Sequence, residues 1–317
     1  MTEEKDLKKL VLIREKGVEI LDDQLYKKVS RGNLSASMTN SLLACPADWL
    51  LDKYILRELE HEEQPHLERG TLFHSVMESF FRIPAGERTM QQLGVIAKEE
   101  TQLNHPHMMD DEDSKAWLKN AIRGYLSMGF DFNSEIIPTI DWKGKRQYGL
   151  ELFVDGKVGN TNRKVVGFVD KLVAREIDGE TKYFIEDWKT GKQVHPYDPD
   201  KPTSSNNSFD YWRQQTLYAM LMEQQGLDIE GASLIFPVAG KVVDIDHKRE
   251  DVRQHVIDDM EKVDKRLDDC LKDNFFPFTP ATFCTWCHLF YAGKKAGRPR
   301  FPRINQNELN LIVDYED

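Results

Sequence analysis

Apolar residues recur at helical intervals through the first part of the chain. Residues 35–60 (SASMTNSLLACPADWLLDKYILRELE) open on serine cap candidates and predict a helix. Residues 67–83 carry Leu72, Val76 and Phe80 at i, i+4 and i+8, which predicts a second. Residues 87–104 and 112–130 predict two more, so residues 1–135 form a mainly helical part. The period then changes. The segments 146–158, 164–177 and 181–189 are short, rich in Val, Ile, Phe and Tyr, and separated by Gly-containing turns, the pattern of consecutive strands. A polar stretch at 191–208 is long for a connection and marks a functional or mobile loop. A helix at 209–225, strands at 232–238 and 241–247 and a charged helix at 250–274 follow. The closing NELNLIVDYED predicts a frayed tail or an added strand. This order predicts an α/β fold in one domain over 1–317, with its sheet core in 136–250 and a C-terminal part in 251–317.

Composition narrows the class. The chain has 317 residues, enough to bury a core without disulfide staples. No apolar run approaches the roughly 18 residues of a membrane span. The start, MTEEKDLKKL, lacks the apolar centre of a signal peptide, so the expected compartment is the cytoplasm, with no membrane partner. There the four cysteines are expected as free thiols or metal ligands. A net charge of -11 argues against a surface that coats nucleic acid throughout, yet allows a locally basic groove.

The chemistry concentrates in Gly167-Phe-Val-Asp170 and Ile185-Glu-Asp187-Trp-Lys189-Thr-Gly191. Strand side chains alternate faces, so Asp187 and Lys189 point one way and Trp188 the other. A turn near 178–180 would make the two strands antiparallel neighbours and set Asp170 against Asp187. Two carboxylates beside a lysine suit Mg²⁺ or Mn²⁺, hard ions that take oxygen ligands. An isolated D-x-K is usually a surface ion pair. Here it follows Gly70-Thr-Leu-Phe-His74 and precedes Gln214 and Tyr218, which share a helix face at i, i+4.

These four pieces, in this order, resemble the RecB-like branch of the PD-(D/E)xK nucleases, whose pattern is G-T-x-x-H, G-x-x-D, D-x-K-T/S-G and Q-x-x-x-Y. The resemblance implies a restriction-endonuclease-like core, a central mixed β-sheet flanked by helices, with an N-terminal helical elaboration. It implies that His74, Asp170, Asp187 and the backbone carbonyl of Trp188 bind the catalytic metal. Lys189 would be the catalytic lysine, with Gln214 and Tyr218 beside it. Glu151, on the preceding strand, has a weaker place in the site. The implied activity is metal-dependent hydrolysis of DNA phosphodiesters, most simply from an end, in recombination, repair or phage DNA metabolism. A flap-type endonuclease and a silent DNA-binding scaffold are the alternatives. No P-loop is present, so unwinding would fall to a partner. A helicase, a recombinase or a strand-annealing protein fits that setting.

Many members of that branch hold a 4Fe–4S cluster on one upstream and three C-terminal cysteines. Cys45, Cys284 and Cys287 match three of these positions. The fourth ligand is open between Cys270 and His288. A Cys₃His zinc site, or packed thiols with no metal, are the other readings. Lys294, Lys295, Arg298, Arg300 and Arg303 form a basic run that would touch DNA phosphates or be a solvated linker. Phe132, Trp142, Phe209 and Trp212 are expected in core packing before base stacking.

Overall fold

The computed structural model describes residues 9–56, 65–191, 206–279, 309 and 311–315, without the side chains of 206–209. The chain divides into two compact units. One comprises Met1–Glu62, Lys157–Val165 and Ile257–Asp317, and the other Glu63–Gly156 and Val166–Val256.

In the first unit, strands β1 (Val11–Arg14) and β2 (Gly17–Ile20) pair antiparallel as a hairpin. The helical expectation for residues 1–135 omits them. Each is only four residues long, with alternation too brief to stand out beside charged neighbours. Helix α1 (Asp23–Ser30) starts where the Asp22 carboxylate accepts a hydrogen bond from Leu25 N at 2.7 Å. The helix expected over 35–60 is broken. Helix α2 (Ala36–Ala44) ends at Cys45, whose extended backbone (φ -152°) precedes Pro46, the first residue of α3 (Pro46–Leu50). Proline has no N–H to continue the α2 ladder and pushes the preceding residue out of the helical region. A π-turn, Leu51–Ile55, follows.

The second unit is built on a five-stranded sheet in the order β5-β6-β7-β8-β9. These are β5 (Leu150–Gly156), β6 (Val165–Ile177), β7 (Glu180–Trp188), β8 (Ile229–Phe236) and β9 (Lys241–Ile245). Strands β7 and β8 pair parallel while β6–β7 and β8–β9 pair antiparallel, so the sheet is mixed. Helix α7 (Asn206–Glu223) makes the crossover between them. The strand expected over 146–158 is two strands, β4 (Lys145–Tyr148) and β5. Strand β4 pairs instead with β3 (Thr139–Trp142).

Helices α4 (Pro65–Phe81), α5 (Met90–Asn104) and α6 (Glu112–Ser127) cover one face. Leu72, Phe73, Val76, Met77, Phe80 and Phe81 of α4 pack with Tyr125, Val173, Trp188 and Ile235 in one buried cluster. Residue Ile235 faces that cluster, while Phe236 beside it meets Tyr211 of α7 at 6.2 Å between ring centroids. Period-two alternation along β8 thus assigns α4 and α7 to opposite faces. Trp142 and Trp212 are buried, and Phe132 packs on Phe80, as core residues.

The charged helix at 250–274 is α8 (Glu250–Lys272), and Val313–Tyr315 forms the added strand, parallel to β1. No helix among the described residues is long and apolar enough to cross a membrane.

Candidate active site

Strands β6 and β7 carry the two carboxylates. Their antiparallel register runs from Ile177 opposite Glu180 to Lys171 opposite Glu186. Asp170 and Asp187 are the residues next beyond the last pair on each strand. The Asp170 Oδ2 accepts a hydrogen bond from Trp188 N at 2.8 Å, which ties the end of one strand to the other.

Helix α4 delivers His74 from the other side. Phe73 turns into the core while His74, one residue on, reaches the strand end. Its Nε2 lies 3.0 Å from Trp188 O and its Nδ1 3.5 Å from Asp170 Oδ2. Burial, the largest influence, lowers the His74 pKa, against the opposing pull of Asp187. A neutral ring has one N–H. If Nε2 donates it to the Trp188 carbonyl, Nδ1 turns a lone pair toward a carboxylate oxygen. Two acceptors facing each other call for a cation or a proton.

Glu151 completes the group. One ligand atom each from His74, Glu151 and Asp170 lie within 4.8 Å of one another. Glu151 has φ +46°, the left-handed region that costs a non-glycine residue of order 1 kcal/mol or more. That turn breaks the alternation of β5. Leu150 belongs to the α4-side cluster, and Glu151 beside it is still close enough to Glu78 of α4 to feel its charge. Backbone strain at a charged residue beside a histidine and an aspartate is the structural signature that spacing in sequence does not carry.

Lys189 stands on the far side of Asp187. Its Nζ lies 2.5 Å from Asp187 Oδ2 and donates to Gln214 Oε1 at 2.9 Å. Gln214 Nε2 in turn donates to Tyr218 OH at 3.1 Å. The i, i+4 pair on α7 is therefore a relay to the lysine. The Lys189 ammonium also sits 5.0 Å from the centre of the Tyr211 ring. Tyr211 was not singled out from the sequence, although it lies at i−3 from Gln214 and shares its helix face. Burial opposes the Lys189 charge, but Asp187 and Asp170 outweigh it and raise the pKa, so the lysine is an ammonium. Burial pushes the Tyr218 phenol up to about 12, which keeps it a neutral donor.

Two glycines of the motifs have steric duties. A Cβ on Gly167 would lie 2.1 Å from Tyr218 Cε1, so only glycine admits the tyrosine. A Cβ on Gly70 would meet Thr190 Oγ1 at 3.0 Å, where α4 approaches the residue after Lys189.

The electrostatics fit a divalent cation. Burial, then Asp187, drives the Asp170 pKa well above the ordinary carboxylate value, and burial raises that of Glu151. Asp187 is 1 % exposed, and Lys189 supplies the ammonium that meets it. Three carboxylates face one ammonium, so full ionisation would leave two uncompensated negative charges. Oxygen donors with one imidazole suit Mg²⁺ or Mn²⁺.

The cysteine expectations are only partly visible. Cys45 and Cys270 are buried and form no disulfide. Cys45 Sγ accepts from Thr279 N at 3.4 Å. Burial pushes the Cys270 thiol up to about 11, as for a packed helix thiol. Cys284, Cys287, His288, Lys294, Lys295, Arg298, Arg300 and Arg303 lie outside the described residues, as does the side chain of Phe209.

Carboxylates, a histidine and an ammonium gather at the ends of two central strands. The model of the PD-(D/E)XK nuclease superfamily matches residues 33–289, and the chain belongs to that superfamily. No curated protein matches. Among solved structures, the chain is similar to one from Eubacterium rectale described as "Putative exonuclease". The identity is 10 %, the TM-score is 0.47, and the match covers 88 % of this chain and 95 % of that one.

Proposed function

We propose that this nuclease is a metal-dependent deoxyribonuclease that hydrolyses phosphodiester bonds from a DNA end, in the cytoplasm. The convergence of His74, Glu151 and Asp170 beside the Asp187–Lys189 pair carries the reading. His74, Asp170, Asp187 and the Trp188 carbonyl would hold Mg²⁺ or Mn²⁺, with Glu151 as a further carboxylate. The bound ion supplies Lewis acidity toward the scissile phosphate and lowers the pKa of water.

The chain's own residues do the rest. Lys189, kept charged by Asp187, donates hydrogen bonds to the attacking water and to the phosphate oxygen on which charge builds. Gln214 accepts one Lys189 proton and so fixes the direction of the other two. Tyr218 orients the Gln214 amide. The Trp188 amide holds Asp170 in place. A helicase, recombinase or strand-annealing partner would present the DNA.

Purified protein is incubated with end-labelled linear DNA and a closed circle, in Mg²⁺, Mn²⁺ or EDTA. Loss of linear DNA alone, dependent on metal and absent in Lys189→Ala, is the expected result. Cleavage of the circle would make it an endonuclease on the same site. Equal inertness of wild type and variant in every condition would leave a DNA-binding scaffold instead.

A further inference from the structure

Strand β6 lies inside its sheet, between β5 and β7, yet Phe168 is 53 % exposed. An interior strand normally buries a large apolar side chain at such a position. Phe168 is not alone. Phe153 of β5 packs against it, with ring centroids 5.3 Å apart and planes tilted by 58°.

The placement of this pair follows from the ladder. Leu172 N donates to Gly149 O at 2.6 Å, which sets the alignment of β5 against β6. Counting along antiparallel strands from there, Glu151 falls opposite Asp170 and Phe153 opposite Phe168. The closeness of the first two, with carboxylate oxygens within 4.8 Å, and the ring contact of the second two agree with that count. Residues i and i+2 of a strand share a face. Phe168 therefore shares the face of Asp170 on β6, one alternation further along, and Phe153 lies against it. Two residues of strand advance about 6.6 Å, on the scale of one nucleotide step.

We infer that Phe168, backed by Phe153, is a stacking platform for the nucleobase next to the scissile phosphate. The inference rests on the nuclease reading above and deepens it by naming the form of the substrate. A phosphate drawn to a divalent cation at Glu151 and Asp170 would bring the adjoining base over Phe168. An exposed phenyl face stacks on any base and reads no sequence. Inside a duplex both faces of each base are already covered by neighbours. The platform thus selects an unstacked base, that is, single-stranded DNA or a frayed end.

The test compares wild type with Phe168→Ala and Phe168→Trp. All three are assayed on end-labelled single strands, normal or with an abasic residue beside the cut. Stacking on one base contributes about 5- to 150-fold in affinity. Phe168→Ala is expected to raise KM by a factor in that range with a smaller change in kcat, and Phe168→Trp to restore it. On the abasic strand wild type and Phe168→Ala should have equal KM. An unchanged KM in Phe168→Ala, or the same rise on the abasic strand, overturns the platform. Thermal melts of the variants check folding, since Phe168 is mostly exposed and its truncation should leave Tm nearly unchanged.

A second readout is independent of cleavage. A single strand carrying 2-aminopurine is titrated with protein in Ca²⁺, and its fluorescence reports stacking. Quenching by wild type, lost in Phe168→Ala and kept in Lys189→Ala, supports the platform even if no variant cleaves DNA. Absence of quenching by wild type that binds the strand overturns it. Inertness of wild type in the cleavage assay alone would strike the nuclease reading.

Discussion

Two charged clusters sit on neighbouring residues of the same two strands and solve opposite problems. On one face, Asp170 and Asp187 stand with Glu151 against the single ammonium of Lys189. On the other, the adjacent residues Lys171 and Glu186 pair with each other. Lys171 is fully buried, with Nζ 2.8 Å from Glu135 and 2.6 Å from Glu186. Arg175 reaches the second oxygen of Glu186 at 3.3 Å. The ring of Phe81 lies 4.1 Å from the ammonium and that of Tyr125 5.9 Å. Two carboxylates here meet two cations, so the charges balance. The other, when fully ionised, is two charges short. A buried ion pair seldom adds net stability over apolar packing. Its value here is placement, since it fixes β6 to β7 immediately behind Asp170 and Asp187. One lysine satisfies the structural set, and the functional set keeps its deficit for a ligand.

The sharpest break in this contrast is in catalysis. Lys189→Ala or Asp170→Asn should lower cleavage by about 10²–10³-fold or more under saturating metal, measured by single-turnover rates. Without metal the lysine variant should also melt lower, because it strands the buried Asp187, and metal should offset that loss. Next in size is the structural cluster. Lys171→Ala strands two buried glutamates and should cost about 3–5 kcal/mol in chemical denaturation. Lys171→Met combined with Glu135→Gln and Glu186→Gln should cost less than Lys171→Ala alone, because no charge is then left unpaired. Were the single variant as stable as wild type, the placement role would fall.

Smaller effects sharpen the comparison. Gly167→Ala overpacks Tyr218 and should cost about 1–3 kcal/mol in denaturation. It should also reduce kcat by displacing the tyrosine from Gln214. The smallest effect has the opposite sign. Above the ordinary carboxylate pKa of 3.8, unfolded chains ionise Asp170 while the metal-free native site holds its proton. The native state then binds more protons, so stability in EDTA falls as pH rises from about 4 through the raised pKa. Asp170→Asn should flatten that slope and raise metal-free stability by about 1 kcal/mol. In wild type, Mn²⁺ should restore what the pH rise removes, read as Tm in paired scans.

What the sequence made legible was local. Asp187, Lys189, Gln214 and Tyr218 follow periods of two and four, so each was assigned its face from spacing alone. The antiparallel facing of Asp170 and Asp187 followed from a short turn between two obvious strands. Glu151 was harder, because its place depends on a left-handed backbone that reverses the alternation of β5. Lys171 looked like any strand lysine, since Glu135 lies outside the strands and 36 residues away. The hairpin β1–β2 is too short for its alternation to register, and the break at Cys45 turns on a single proline.

Trp188 touches the site with three different parts of itself. Its amide holds Asp170, its carbonyl meets His74, and its indole stacks on Phe81 at 6.1 Å, inside the buried cluster. A chromophore wired in this way makes the protein its own indicator. Ion loading at the carboxylates should register in tryptophan emission and near-ultraviolet dichroism, with no label and no DNA present.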